Sequence, residues 1–408
     1  MSTKSSLTQH SPSLRFPGWS NKWDINSLKT FVKIYDGTHQ TPNYVKEGVP
    51  FYSVEHITSN NFTKTKLVSR EVFDKENKRV KLEKNDILMT RIGDIGSAKL
   101  IDWEVQASFY VSLALLKHSE NINPSYLLQY INSNYFQREL WKRTIHVAFP
   151  KKINLGEIGE CFISTPKSDE QQKIADFLSS VDSWIDNLRK QKESLEAYKI
   201  GITQKIFSQE IRFKDEKGTE FPEWKKEKLG SLLVEVSEKS TENDQYPVLS
   251  STMNGICLQR EYFNKKIASD NNTGYKILKR NQLVFSPQNL WLGNINICTN
   301  YEIGIVSPSY KIYMTNERYI LINYLQHLIK LPRMLYEYKI SSEQGASVVR
   351  RGLNMDLFNS IQILLPCLTE QQKIADFLTS IDGSIELKKQ QILESETWKK
   401  GLMQQMFI

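Results

Sequence analysis

The chain has 408 residues, of which 39% are hydrophobic and 25% charged, and its formal net charge is +8. This length exceeds one ordinary domain core, and the composition is typical of a globular protein, which excludes fibrous and disordered classes. No run approaches the ~18 apolar residues of a membrane helix and MSTKSSLTQH has no apolar signal-peptide core, so we expect a cytoplasmic protein.

In chain order, the first elements are strands. VPFYSVEHI, DILMTRIGDIGSAKLI and FYVSLALLKH carry β-branched and aromatic residues between turn signals. PSYLLQYINSNYFQRELWKR, which follows Asn123, has helical periodicity. The sequence therefore predicts a mixed α/β (α+β) block.

A long helix is predicted next. Pro166 ends an apolar stretch, Asp169 is a candidate N-cap, and Gln172 follows three residues later. Apolar residues then alternate in steps of three and four, as in a coiled-coil seam. They are Ile174, Leu178, Val181, Ile185, Leu188 and Leu195.

The same pattern returns 200 positions later. The word EQQKIADFL begins at Glu170 and again at Glu370, and FPGW at Phe16 returns as FPEW at Phe221. Thr369 is the second candidate N-cap, and ERYILINYLQHLIKLPRMLYEY takes the place of the first block's helix. We predict an internal repeat with four segments. These are 1–155 and 211–355, both globular, and 156–210 and 356–408, both helical.

The two predicted helices have apolar seams that need a partner. Each seam could bind an external protein, or the two could pair with each other. Self-pairing is favoured because both lie on one chain, and it requires antiparallel helices that place the globular blocks at opposite ends of a pseudo-two-fold spacer.

The positive charge is concentrated in the globular blocks. Residues 1–155 hold 22 Lys and Arg against 14 Asp and Glu, and residues 211–355 hold 20 against 15. The helical segments are mildly acidic, with 7 against 10 and 5 against 7. Two basic blocks favour a polyanion as partner, although a basic protein need not bind nucleic acid.

Catalytic and metal-binding motifs are missing. There is no [DNS]-P-P-[FYW] for adenine methylation, no G-x-x-x-x-G-K-[ST] for ATP, and no glycine-rich S-adenosylmethionine loop. The four cysteines stand far apart without a C-x-x-C pair, which is typical of buried thiols in a reducing compartment. We expect no enzyme activity, no metal and no cofactor in this chain.

With DGTHQTPNY, NDILMTRIGDIG and the twice-used Pro-x-x-Glu-Gln-Gln phrase, the whole chain resembles the specificity subunit of a type I DNA restriction and modification system. The resemblance implies two target recognition domains, each reading half of a split DNA site, and two long helices that fix the spacing. It also implies that the helices dock two methyltransferase subunits, and that motor-nuclease subunits join for restriction. S-adenosylmethionine, ATP and Mg²⁺ would then be bound by these partners.

Candidate DNA-binding residues follow from donor and acceptor chemistry. Arg suits guanine, Asn and Gln suit adenine, and Lys or Arg suit phosphates. His39 could also be an ordinary turn residue, and Trp291 could equally be core. In the first block the candidates are Thr38, His39, Gln40, Thr41, Arg91, His146, Lys151 and Lys152. In the second they are Ser251, Thr252, Asn254, Gln288, Asn289, Trp291, Gln344, Arg350 and Arg351.

The repeated glutamines are candidates for partner binding. Gln171, Gln172, Gln371 and Gln372 either cap the helices or dock the methyltransferase subunits. Two rival functions stay open at this point. One is a fused enzyme, which needs the missing motifs, and the other is a scaffold that organises two protein partners without DNA.

Overall fold

The structure is a computed structural model that describes residues 11–263, 269–344 and 351–408. The chain forms two compact units. Unit 1 comprises Met1–Lys190 with Lys389–Ile408, and unit 2 comprises Gln191–Lys388. The four segments drawn from the sequence follow charge and motifs instead, and their boundaries stay a prediction.

Unit 1 is a mixed α/β structure. Its strands are β1 (Asp24–Ser27), β2 (Lys33–Asp36), β3 (Tyr44–Val45), β4 (Val49–Tyr52), β5 (Lys66–Val68), β6 (Ile87–Ile92), β7 (Asp94–Leu100), β8 (Ser108–Phe109), β9 (Leu113–Lys117) and β10 (Phe162–Thr165). Its helices are α1 (Val54–Ser59), α2 (Arg70–Asn77), α3 (Pro124–Ile131), α4 (Asn134–Arg143), α5 (Leu155–Gly159) and the first part of α6 (Ser168–Phe207).

The main sheet of unit 1 has the order β2-β9-β6-β7 and is antiparallel. Successive side chains along a strand point to opposite faces of the sheet, and in this sheet both faces are buried. Ile87 and Met89 face one apolar cluster, whereas Leu88 between them faces another. This two-sided burial explains why β6 is an almost continuous apolar run. A second sheet, β3-β5-β4-β8, adjoins it.

Unit 2 repeats this plan. Its strands are β11 (Lys225–Lys228), β12 (Leu233–Val236), β13 (Leu249–Thr252), β14 (Gly255–Leu258), β15 (Lys276–Lys279), β16 (Leu283–Phe285), β17 (Ile295–Ile297), β18 (Ile303–Val306), β19 (Lys311–Thr315), β20 (Ser342–Gln344), β21 (Arg351–Leu353) and β22 (Gln362–Leu365). Its helices are α7 (Gln259–Tyr262), α8 (Ile322–Leu328), α9 (Pro332–Ile340), α10 (Met355–Ser360) and most of α11 (Leu368–Met406).

The main sheet of unit 2 has the order β12-β19-β16-β17. Each strand corresponds to one of unit 1 at the same place in the sheet, and the ribbon β11-β22 corresponds to β1-β10. Leu283 and Phe285 face one cluster and Val284 another, so the central strand is again buried on both sides. The repeat seen in the sequence is therefore a repeat of topology.

The helix predicted after Asn123 is broken in the structure. Asn123 caps α3 by accepting from the Tyr126 amide at 2.9 Å, and Ser133 caps a separate helix α4 by accepting from the Phe136 amide. In unit 2, Pro332 begins α9 at the equivalent break. A serine or a proline at a helix start outweighs the continuous apolar periodicity.

The predicted N-caps of the long helices are wrong. The helices begin at Ser168 and Leu368, so Asp169 and Thr369 lie inside the first turn. Gln172 and Gln372 do not reach back to a cap but donate forward to Asp176 and Asp376, both at 2.7 Å.

The long helices pair inside each unit. In unit 1, Asp182 of α6 bonds Lys399 of α11, and Arg189 bonds Glu396, both at 2.5 Å, so the contact positions run in opposite directions. In unit 2, Lys199 of α6 bonds Asp382 of α11 at 2.5 Å. Each of these two lysine–aspartate pairs is the other one shifted by 200 positions: the aspartate lies on α6 in unit 1 and on α11 in unit 2, and the lysine on the opposite helix. The predicted class is confirmed, with its internal repeat and its long antiparallel helices. Within the described residues, no helix combines the length and apolarity needed to cross a membrane.

Candidate DNA interface

The loop after β2 is built around Asp36. Arg79 donates to the Asp36 carboxylate at 2.7 Å and to the Gly37 carbonyl at 3.0 Å, while the His39 ring lies 2.8 Å from the same carboxylate. Burial opposes ionisation of Asp36, but Arg79 and His39 outweigh it and hold the pKa of this carboxyl below its ordinary value. Arg79 was missed from the sequence, since nothing local links it to a loop more than forty positions away.

This loop presents only part of its predicted set. His39, Gln40 and Thr41 are exposed. Thr38 is buried, its amide donates to the Phe109 carbonyl at 2.9 Å, and its hydroxyl oxygen lies inside the fold. Contact of the Thr38 side chain with DNA is therefore not supported.

Arg91 makes internal hydrogen bonds that join three segments of unit 1. Its side chain is only 11% exposed, and it donates to the carbonyls of Val111 at 2.7 Å and Ile153 at 3.2 Å. Burial lowers the pKa of its guanidinium, and Asp36 at 3.9 Å opposes that effect. Direct DNA binding by the Arg91 side chain is therefore not supported by this geometry, because these two bonds engage its donors internally, and it stays a prediction.

The loop after α4, residues 145–152, carries exposed His146, Lys151 and Lys152. The Ile145 amide donates to the Lys152 carbonyl and the Gly93 amide donates to the Lys151 carbonyl, both at 2.8 Å. The structure thus brings this loop beside the turn between β6 and β7. Through Arg91, which touches both Asp36 and Ile153, it also adjoins the loop after β2.

In unit 2, the hairpin between β13 and β14 is held by asparagines. Asn294 accepts from the Ser251 hydroxyl at 2.6 Å, and Asn296 donates to that hydroxyl at 2.7 Å. Ser251 is buried, so contact of its side chain with DNA is not supported by this geometry and stays a prediction. Thr252 closes the turn by donating to the Gly255 carbonyl at 2.9 Å, and Asn254 is exposed at the tip.

The connection between β16 and β17 meets Arg351. The Arg351 amide donates to the Gln288 carbonyl at 3.2 Å, and its guanidinium lies 4.3 Å from the centre of the Trp291 ring. Gln288 is exposed, whereas Asn289 and Trp291 are half-buried. The Trp291 ring therefore makes a cation–π contact with Arg351 and is also partly buried in the fold.

For two other candidate DNA-binding residues of unit 2, Gln344 and Arg350, no side-chain contact is described. The backbone of Gln344 pairs with Arg351 in the β20-β21 ribbon. Arg350 lies outside the described residues.

Lys330 ties the two parts of the unit 2 surface together. It donates to the Gly293 carbonyl at 3.0 Å and reaches the Met253 carbonyl at 3.5 Å, so the hairpin tip and the β16–β17 connection adjoin. Burial lowers the pKa of its amine. Sequence reasoning missed Lys330, because the pattern predicts one helix over its segment, whereas Lys330 lies in the turn between α8 and α9.

In both units, a basic residue lies beside the connection between the last two strands of the main sheet. Lys151 lies against the β6–β7 turn, and Arg351, 200 positions later, lies against the β16–β17 connection. The cation therefore occupies an equivalent position on the repeated scaffold, while the loops around it differ.

The glutamines at the helix starts divide into two kinds. Gln171 and Gln371 are buried, and each donates to a proline carbonyl, Pro166 or Pro366, at 2.9 Å. Each also accepts a backbone amide at 2.9 Å, from Asn123 in unit 1 and from Leu321 in unit 2. Direct docking by these two side chains is not supported, whereas Gln172 and Gln372 are exposed.

Titratable clusters suited to a metal ion are absent among the described residues, and the four cysteines are free thiols. Burial raises the pKa of the Cys161 thiol to about 12. Such a thiol stays protonated and unreactive at neutral pH.

Comparison with known proteins assigns the family. A model of the type I restriction modification DNA specificity domain matches residues 21–197 and, a second time, residues 223–396. The chain belongs to this family. It is a DNA specificity subunit of a type I restriction-modification system, which recognises sequence and is not itself catalytic.

One curated relative matches this specificity subunit over almost the whole of both chains, and another matches about half of it. The MjaX type I restriction enzyme specificity subunit of Methanocaldococcus jannaschii is 27% identical over 406 residues, covering 93% of this chain and 92% of the relative. The EcoBI specificity subunit of Escherichia coli is 26% identical over 197 residues, covering 48% and 41%. The crystal structure of the S subunit from M. genitalium has the same fold, with a TM-score of 0.57, 16% identity and coverage of 98% and 99%.

Proposed function

We propose that each unit of this specificity subunit reads one half of a bipartite DNA site through the loops described above. The observation that carries the proposal is that the candidate DNA-binding residues of each unit lie close together in the fold. Candidates far apart in sequence meet on one surface in each unit, and a cation holds the equivalent place in both. A scaffold without DNA is not supported, because the matched family is one of DNA specificity.

The exposed and half-buried candidate side chains fall into two chemical groups. Amide side chains present a donor and an acceptor together and suit adenine edges, which favours Gln40, Asn254, Gln288 and Asn289 as base readers. Lys151, Lys152 and Arg351 suit phosphates, which position the protein without specifying sequence. His39 and Thr41 complete the unit 1 set, and Thr252 supports the unit 2 hairpin.

Partner subunits belong to the same proposal. Two methyltransferase subunits dock on the long helices, and motor-nuclease subunits join them in the cytoplasm. S-adenosylmethionine, ATP and Mg²⁺ are bound by those partners. In unit 1, exposed Trp184 and Trp398 lie edge to face with ring centres 6.4 Å apart and form an apolar docking surface, and Gln172 is an exposed residue of the same helix as Trp184. Tyr198 and Gln372 are the exposed helix residues proposed for unit 2.

Methylated-motif mapping in cells tests the assignment of base readers. Gln40→Ala should relax one base position in one half of the motif, and Gln288→Ala with Asn289→Ala should relax the other half. Removal of a bidentate pair of hydrogen bonds costs about 1–3 kcal/mol of discrimination. Asn61→Ala and Asn300→Ala, exposed positions outside the proposed loops, are the matched controls. Relaxation of both halves by one variant, or of neither by any, contradicts the assignment.

A further inference from the structure

The tip of the loop after α4 holds the most exposed large apolar side chains in the described chain. Phe149 is as exposed as in an extended peptide, at 103%, and Val147 reaches 97%. The next, Ile200, reaches 71%. Single exposed apolar residues are common, but two fully solvated ones on one tip, in a chain with buried cores, indicate a surface made for contact.

This tip stands on a fixed base. The Ile145 amide donates to the Lys152 carbonyl at 2.8 Å, and the Ile153 amide donates to the Arg91 carbonyl at 3.0 Å. The Gly93 amide holds the Lys151 carbonyl at 2.8 Å. On the near side, the His146 ring lies 4.8 Å from the Trp141 ring. The far side of the tip is therefore bonded to strand β6 and the turn after it, the near side is bonded to the far side through Ile145, and the apolar side chains project from this base.

The charge around the tip is positive. Lys151 and Lys152 are exposed, and neither has an acidic partner among the described residues. By contrast, Lys142 and Arg143 on the preceding helix both bond Glu139 at 2.8 Å. Lys151 and Lys152 thus lie at the foot of the apolar tip, where a ligand reaching Phe149 meets them.

We propose that Phe149, flanked by Val147, enters the bound duplex as an apolar wedge between two stacked base pairs, with Lys151 and Lys152 on the adjoining phosphates. Proteins that kink DNA insert apolar side chains from the minor groove and partly unstack one step. A stacked aromatic offsets the reduced base stacking, and the lysines neutralise the phosphates that the bend brings together. The proposal rests on the assignment of this surface of unit 1 to DNA.

The wedge adds a kind of sequence reading that the hydrogen-bonding loops cannot supply. Unstacking is least costly at flexible pyrimidine–purine steps, so the unit 1 half-site should favour such a step at the wedge. A protein partner on the same tip is the competing occupant. Unpaired lysines at the foot of the tip, and its adjacency to the loop after β2 through Arg91, favour DNA.

The test uses the full chain assembled with its methyltransferase subunits. The probe is a duplex carrying the methylated sequence mapped in the host, with 2-aminopurine placed in turn at each step of the unit 1 half-site. Wild type should raise the fluorescence severalfold at one step. Phe149→Ala should abolish that rise and weaken binding about tenfold, with the salt dependence unchanged. Phe149→Trp should restore both.

Lys151→Ala with Lys152→Ala is the matched variant for phosphate binding. It should keep the fluorescence rise and reduce the slope of log affinity against log salt by about 1.8, or ~0.9 for each phosphate that is no longer neutralised. Since Phe149 is fully solvated, its replacement leaves folding unchanged.

Three results overturn the wedge. One is an unchanged fluorescence rise in Phe149→Ala. Another is wild-type protein that raises fluorescence at no step. The third is Phe149→Ala that loses its methyltransferase subunits on a sizing column, which assigns the tip to a protein partner. If the lysine variant still lowers the salt slope in any of these cases, the DNA surface stands and only the wedge fails. An unchanged slope rejects both.

Discussion

Single residues show how the two copies anchor the same joint with different contacts. Glu370 is fully buried and accepts from Arg212 at 3.1 and 2.8 Å and from the Trp224 indole at 3.1 Å. Glu170 accepts from Arg15 at 2.6 and 2.7 Å. A buried carboxylate of this kind is stable only with its cation in place, so each glutamate ties the segment before the first strand to the long helix.

His327 predicts a pH dependence for unit 2. Burial, then Lys199, lowers its pKa to about 4, and Asp382 opposes this. An unfolded histidine titrates near ~6.5. The unfolded state therefore binds the proton first, and the stability from neutral His327 is complete above ~6.5 and lost as the pH falls towards 4.

The measurement is urea unfolding of wild type and His327→Gln at pH 7 and pH 5. Wild type should lose about 2 kcal/mol more than the variant between these two values. Parallel losses in the two proteins would show that His327 is not protonated preferentially in the unfolded state.

At the scale of elements, the seam of the long helices predicts where stability lies. Leu178 and Leu378 are fully buried at equivalent places in units 1 and 2. Leu178→Ala should destabilise by about 2–5 kcal/mol, because a cavity remains where the side chain was. Hydrogen exchange should rise in unit 1, and Leu378→Ala should have that effect in unit 2. Leu393→Ala, on an exposed helix position, should stay within about 0.5 kcal/mol of wild type. Equal effects of all three would contradict the seam.

The elements were predictable where the pattern is local. The apolar spacing through Leu178 and Leu378 fixes the long helices, and strand β6 carries its own apolar run. The break at Ser133 was missed because periodicity continues through it and only the serine cap interrupts the helix.

The site was predictable only as far as its loops. The turn after β2 and the cationic loop after α4 were found from glycine, proline and charge. Whether a polar side chain points outwards is decided by distant segments. Arg91 is taken up by Val111 and Ile153, and Ser251 by Asn294 and Asn296, none of them adjacent in sequence.

For the whole molecule, the repeated topology predicts exchangeable reading. Replacing 211–355 with the matching block of another specificity subunit should change one half of the methylated motif and leave the other intact. Each unit closes its own sheet and apolar clusters, so the scaffold of unit 1 is untouched. Exchange of 1–155 is the reciprocal control and should change the other half. Motif mapping decides the matter, and a change in both halves after one exchange would refute independent reading.

Unit 1 is assembled from both ends of the sequence, which sets an order in time. Met403, Met406 and Phe407 complete the cluster around Tyr126 and Tyr130, and the Tyr130 hydroxyl donates to the Ile408 carbonyl at 2.7 Å. A ribosome adding ~5–20 residues per second needs roughly 15 to 55 seconds to travel from Tyr130 to Phe407. Unit 2 is contiguous and is synthesised within that interval. The unit that starts to emerge first is therefore finished last, and its helix seam stays uncovered until residues 389–406 of α11 have been made.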